Sequence, residues 1–141
     1  MDVLEFSVLD CDIRVESLDR PAASLLTSNC SWFKQAFEKR HITYRITRPG
    51  TREDRLITRD GAYPVLARDD GDFLYMFEKD MTIEAQKLRS DLYFVHAAVV
   101  ELDGHALALI APSGYGKSTT TWGLLHHGFR YLSDELAPVH L

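Results

Sequence analysis

The sequence predicts an α/β fold organised around a phosphate-binding turn, and three consecutive stretches predict it. Ala106-Leu-Ala-Leu-Ile110 is an apolar run of strand length, Ala111-Pro-Ser-Gly-Tyr-Gly-Lys-Ser-Thr119 is a glycine-bearing turn, and Thr120-Thr-Trp-Gly-Leu-Leu-His-His127 has helix-like spacing. Strand, glycine-rich turn and helix in that order form the context in which a chain cradles phosphate. Ahead of this unit, residues 1–92 read as a small α+β region, and residues 93–141 as the start of a nucleotide-binding domain.

From the N-terminus, Val3–Leu9 and Cys11–Glu16 alternate in part and read as one or two strands. Asp19-Arg-Pro-Ala reads as a turn, with a short helical turn over Ala22–Leu26. Ser31–Glu38 places Trp32, Phe33, Ala36 and Phe37 on one helical face, with a loop as the competing reading. Ile42–Thr47 alternates cleanly and is a strand, whereas Pro49–Arg55 carries the turn and charge signals of a surface loop. Tyr63–Ala67 and Phe73–Phe77 read as two strands joined by a tight acidic turn, Arg68-Asp-Asp-Gly-Asp72. The three aspartates there lack the remaining ligands and terminal Glu of a calcium loop. Ile83–Leu92 has helical spacing, and Tyr93–Val100 is an apolar run that the Asp103-Gly104 step turns back in a hairpin. After the glycine turn, a helix over 118–127 ends at Gly128, and Phe129–Ser133 is the next strand.

Each residue type in the turn has its own physical reason. Gly114 and Gly116 let the backbone curl so that several N–H groups point at one anion. The helix beginning near Lys117 adds its unpaired N–H groups and the positive end of its dipole. Lys117 is placed to reach the β and γ phosphates, and the Ser118 hydroxyl to ligate Mg²⁺. Ser113, Tyr115 and Thr119 complete the set of candidate nucleotide-binding positions, with Thr119 adding a hydroxyl near the α or β phosphate. The departure from the usual pattern is Ala111, which stands where the first glycine would be, so the loop entry is confined to ordinary backbone conformations. The constrained positions coincide by chance in roughly 1 in 10,000 windows, so a nucleoside triphosphate site is preferred over a glycine-rich turn with a solvated lysine.

Asp134 and Glu135 follow the strand after the helix, at the end of a sheet where ligands bind in open α/β folds. An acidic residue there can hold Mg²⁺ directly or through water. The alternative is a surface acidic pair that ends a strand. His96 lies among Phe94, Val95, Val99 and Val100, and on the residues alone a core-edge histidine is an equal reading. His126 and His127 near a helix C-terminus need no metal to explain them. Trp122 is read as helix packing rather than as a platform for a base.

The 141 residues include 16 basic and 21 acidic side chains, a net charge of −5, which offers no electrostatic case for nucleic acid or an anionic membrane. Cys11 and Cys30 are too few for a disulfide framework and lack metal-ligand spacing, so both are expected as small buried residues. No apolar run approaches a membrane span and no signal segment opens the chain, so the expected location is cytoplasmic.

The segments His96-Ala97, Gly104, Ser113-Gly-Tyr-Gly-Lys-Ser118, Leu125 and Gly128-Phe-Arg-Tyr-Leu-Ser-Asp-Glu135 together resemble the catalytic domain of the HPr serine kinase/phosphorylase family, more closely its divergent HPr-kinase-like branch. The resemblance covers about residues 93–140. It implies a phosphate loop and core of the HPr kinase/phosphoenolpyruvate carboxykinase type, with ATP and Mg²⁺ as cofactors and a serine of a small carrier protein as phosphate acceptor. It further implies that Gly114, Gly116, Lys117 and Ser118 form the phosphate loop. Asp134 and Glu135 stand for the family's paired aspartates, one a general base toward the accepting hydroxyl and the other a metal ligand. His96 stands for its histidine near the phosphate end of the site. The departures are Ala111, Ala97 in place of a glycine, and Glu135 in place of an aspartate. Only 24 residues follow Lys117. The chain therefore reads as incomplete at its C-terminus, calling for a complementing C-terminal fragment or a homo-oligomer, and residues 1–92 as a variable region. Simple nucleotide hydrolysis, a nucleotide-binding module and an inactive remnant are the other functions considered.

Overall fold

The computed structural model describes residues 2–30, 41–50 and 53–140. It has a mixed α/β composition and divides into two compact units, Met1–Arg89 and Ser90–Leu141. The Ser31–Glu38 reading lies outside the described residues.

The first unit is a five-stranded sheet in the order β1-β2-β3-β4-β5, with two helices packed on it. Strands β1 (Asp2–Val8) and β2 (Cys11–Leu18) form an antiparallel hairpin, where the partial alternation predicts one or two strands. Its turn holds Leu9 and Asp10 at φ of 52° and 56°. Helix α1 (Arg20–Cys30) then carries the chain to β3 (His41–Thr47), which pairs parallel to β2. The predicted turn at 19–22 is the N-terminus of α1, which is longer than expected because Asp19 accepts the Ala22 N–H at 2.8 Å. Arg48 and Arg55 add charge at the same carboxylate. Burial works to raise the Asp19 pKa, but the Ala22 hydrogen bond and the two guanidinium groups outweigh it and hold the carboxyl below its ordinary range.

Strand β4 (Arg55–Arg59) occupies the end of the predicted surface loop and continues past it, pairing antiparallel to β3 and to β5 (Val65–Ala67). Arg55 is 1% exposed, which no reading of a charged loop anticipates. Its guanidinium bonds Asp70 at 2.5 Å and lies 5.0 Å from the centre of the Phe73 ring, so a paired, stacked arginine replaces a solvated one.

The largest correction concerns 68–77. The expected acidic turn and second strand are instead the start of helix α2 (Asp70–Leu88). Asp69 is its N-cap and accepts the Asp72 N–H at 2.8 Å, while Asp70 and Asp72 place negative charge in the first turn, where the dipole favours it. Phe73, Phe77, Met81 and Ala85 recur every four residues and are buried. They close the core with Phe6, Ile13, Val15, Leu26, Ile42, Tyr44, Ile46 and Ile57. The Tyr44 hydroxyl donates to Asp80 at 2.8 Å, and burial first, then that carboxylate, push its pKa upward. Both cysteines are buried and unbridged, as expected.

The second unit contains β6 (Leu92–Val95), β7 (Ala98–Leu102), β8 (His105–Leu109), α3 (Lys117–Leu125), β9 (Arg130–Ser133) and β10 (Ala137–His140). The expected Asp103-Gly104 hairpin joins β7 to β8, with φ of 52° and 80° at its two turn residues. Glu101 accepts the Gly104 N–H at 2.6 Å and pairs with Arg130 on β9. The arginine first, then the backbone bond, lower its pKa. Gly128, at φ 87°, ends the segment after α3, and the Phe129 N–H reaches back over it to Leu124 O at 3.3 Å.

Sheet order is β8-β7-β9, with both neighbours antiparallel to β7. Consequently β8 and β9 run in one direction on either side of β7, and their C-terminal ends meet the N-terminal end of β7. Beyond that end, β6 and β10 pair antiparallel, Val95 opposite Ala137, in the register that Val99 opposite Ser133 already sets. The two ladders are one ribbon opened between these pairs, with His96–Ala98 on one side of the opening and Asp134–Leu136 on the other. Much apolar surface of this unit faces outward, including Leu107, Ile110, Trp122, Tyr131 and Leu132. Among the described residues, no helix is long and apolar enough to cross a membrane.

Candidate functional site

The site stands where the topology brings three segments together: the turn after β8, the segment after β9 and the link between β6 and β7. In the turn, Gly114 and Gly116 adopt φ of 83° and 82°. A Cβ added at either would meet no other atom within 4 Å, so the left-handed backbone, not crowding, is what requires glycine. Gly116 is the N-cap of α3 and has no side chain with which to cap it. The N–H groups of the first helical turn have no acceptor within the helix, so they are presented to whatever lies in front of it. Helical bonding begins with the Thr120 N–H to Gly116 O at 2.9 Å.

The Lys117 ammonium donates to Ala111 O at 2.8 Å and Pro112 O at 3.3 Å, which folds the side chain back along the turn. With three donors on the ammonium, this geometry leaves capacity for an anionic ligand. Thr121 is buried, and its hydroxyl donates to Lys117 O at 2.9 Å, tying the first turn of α3 together.

Across the opening in the ribbon, His96 Nδ1 stands 3.5 Å from Glu135 Oε2, with both side chains more than half exposed. His96 is therefore a rim residue of the cleft, not the core-edge histidine of the alternative reading. Asp134 is exposed and held in place by the Tyr131 hydroxyl, which donates to Oδ1 at 2.8 Å. Burial first, then this bond, raise the Tyr131 pKa, so the phenol stays a donor. The segment bends because Ser133 Oγ accepts the Leu136 N–H at 3.2 Å.

These groups surround one open cleft of about 300 Å³, lined by His96, Ser113, Gly114, Gly116, Lys117, Ser118, Thr119, Asp134 and Glu135. Every candidate from the sequence lines it except Tyr115. The Tyr115 N–H closes the turn on Pro112 O at 3.4 Å, while its exposed ring lines a neighbouring cleft. Tyr131 is a contributor that the sequence reading did not single out. The signal available was its place three residues before Asp134.

Among the described residues, no three or more His, Cys, Asp or Glu side chains are grouped to hold a metal on their own. Ser118, Asp134 and Glu135 supply hard oxygen donors, the type that suits Mg²⁺, an ion that ordinarily keeps several waters and takes phosphate oxygens beside one or two carboxylates. The donor set fits an ion that arrives with a phosphate ligand. No protein-family model matches the chain, and no curated protein or solved structure matches it.

Proposed function

We propose that this chain carries the phosphate-binding part of an ATP- and Mg²⁺-dependent phosphotransferase that moves the γ-phosphoryl group to a hydroxyl of a protein or small acceptor, as its resemblance to HPr serine kinase implies. One observation carries the reading. A left-handed glycine turn, a helix N-terminus with Lys117 and Ser118, and the carboxylates of Asp134 and Glu135 line a single cleft although they come from separate strands.

In this reading the backbone N–H groups around Gly114 and Gly116 bind phosphate oxygens, and Lys117 turns from the Ala111 and Pro112 carbonyls toward the β and γ phosphates. Ser118 and Glu135 would hold Mg²⁺, which when bound would offset the negative charge on the transferring group. Asp134, oriented by Tyr131, accepts the proton of the attacking hydroxyl. His96 pairs with Glu135 and sets its position at the phosphate end of the cleft. Catalysis of this kind comes from placement and fixed charge. The proposed acceptor is a small carrier protein with an exposed serine.

The exposure of Asp134 and Glu135 favours a second reading, in which water is the acceptor and the chain is a hydrolase. Incubation with γ-labelled ATP, Mg²⁺ and a serine-bearing phosphocarrier protein separates the two. Label on the protein, lost in Asp134→Asn, supports the kinase. Free phosphate with an unlabelled carrier protein supports hydrolysis, and bound nucleotide with neither product leaves a binding module.

A further inference from the structure

Resting on the phosphate-site reading, we infer that the cleft beside the turn receives the nucleoside of the bound nucleotide, with the Tyr115 ring as the surface on which the base stacks. This second cleft, of about 360 Å³, is lined by Ala108, Leu109, Ile110, Tyr115, Lys117 and Thr120, with the turn's first residue between them. Lys117 lines both clefts, so the two adjoin at that residue and one ligand can span them.

The chemistry of the second cleft differs from that of the first. Lys117 is its single charged lining residue, and Thr120 brings a hydroxyl at its edge. The remaining walls are aliphatic or aromatic, which suits a flat base and a ribose and does not suit a second phosphate or a cation. Tyr115 is 78% exposed and Ile110 68%, so both offer apolar surface to a ligand in this cleft. The Tyr115 N–H closes the turn on Pro112 O at 3.4 Å, which sets the backbone position from which the ring projects. An exposed ring beside an aliphatic wall offers a face on which a base can stack. Trp122 is not a competitor for this role. It lines neither cleft, and its ring meets His126 edge-on at 4.4 Å. Because stacking tolerates any base with a π-face, the platform favours nucleotides over bare phosphate chains without strongly choosing between ATP and GTP.

The test titrates Mg²⁺-ATP and Mg²⁺-tripolyphosphate calorimetrically into the full chain and its Tyr115→Ala and Tyr115→Phe variants. Wild type and Tyr115→Phe are expected to bind ATP about ten-fold more tightly than tripolyphosphate, the scale of one base on one aromatic ring. Tyr115→Ala is expected to bind both ligands alike, at the wild-type affinity for tripolyphosphate. If wild type binds tripolyphosphate as tightly as ATP, or if Tyr115→Ala weakens both ligands equally, the nucleoside cleft is wrong and the phosphate site stands. If wild type binds neither ligand, the phosphate-site reading fails and this inference falls with it.

Discussion

Alanine at Gly116 and alanine at Gly123 should change the stability of the second unit in opposite directions, although both glycines belong to the same short helix. At Gly116 the backbone is left-handed, with φ 82°, and an added Cβ would meet nothing within 4 Å. The whole cost is therefore conformational, about 1–2 kcal/mol for a non-glycine residue in that region. Gly123 lies inside α3, with open space around the position and no positive φ. Alanine there removes the helix penalty of glycine and should stabilise by about 1 kcal/mol. Urea unfolding followed by Trp122 fluorescence in a Trp32→Phe background reads the second unit. With a slope of about 1–2 kcal/mol per molar, Gly116→Ala should lower the midpoint by about 1 M, and Gly123→Ala should raise it by about half that. Equal midpoints for Gly116→Ala and wild type would mean that the turn is not held in the left-handed conformation, and the geometry argued for the anion cradle would go with it.

Other perturbations test the first unit. Asp69→Ala removes the N-cap of α2 and its 2.8 Å bond from Asp72 N–H, and should cost about 1 kcal/mol in a thermal melt, most of which Asp69→Asn restores. Phe77→Ala deletes a fully buried ring that sits 4.9 Å from Tyr44 and 6.1 Å from Phe73, and should cost about 3–5 kcal/mol by urea unfolding, a large share of a small unit's stability. The Asp19 carboxyl has a lowered pKa in the folded chain. Its stabilising contribution is therefore complete above the unfolded value of about 3.9 and is lost as pH falls through the lower folded value. Asp19→Asn keeps a capping side chain and should flatten the acid limb of a stability-versus-pH curve, while an unchanged limb would show that the ion pairs with Arg48 and Arg55 contribute nothing.

The parts legible in the sequence were those governed by neighbours along the chain. Ile42–Thr47 alternates because one face of β3 is buried, and Asp103-Gly104 turns the chain because both positions need positive φ. The glycine turn between β8 and α3 was legible for the same reason. What sequence reasoning misread were segments where tertiary partners override a local signal. Asp69, Asp70 and Asp72 look like a hairpin turn until Asp69 is seen to cap a helix, and Phe73-Leu-Tyr-Met-Phe77 looks like a strand unless Met81 and Ala85 are read as the same four-residue period. Arg55 looks solvated until Asp70 and Phe73 cover it. In the cleft, the neighbours Lys117 and Ser118 were visible in one short run. The approach of His96 to Glu135 is set instead by the shared register of two ladders whose paired strands are distant in sequence, which no local pattern encodes.

The central claim is that the turn and α3 bind the phosphates of a nucleoside triphosphate through Lys117. Its most direct test is calorimetric titration of Mg²⁺-ATP into the full chain and into Lys117→Ala, with far-UV circular dichroism to show that both are folded. Saturable one-to-one binding by wild type is expected, and it should disappear in the folded variant. A folded wild-type chain that takes up no Mg²⁺-ATP, or a Lys117→Ala variant that binds it equally well, would contradict the account.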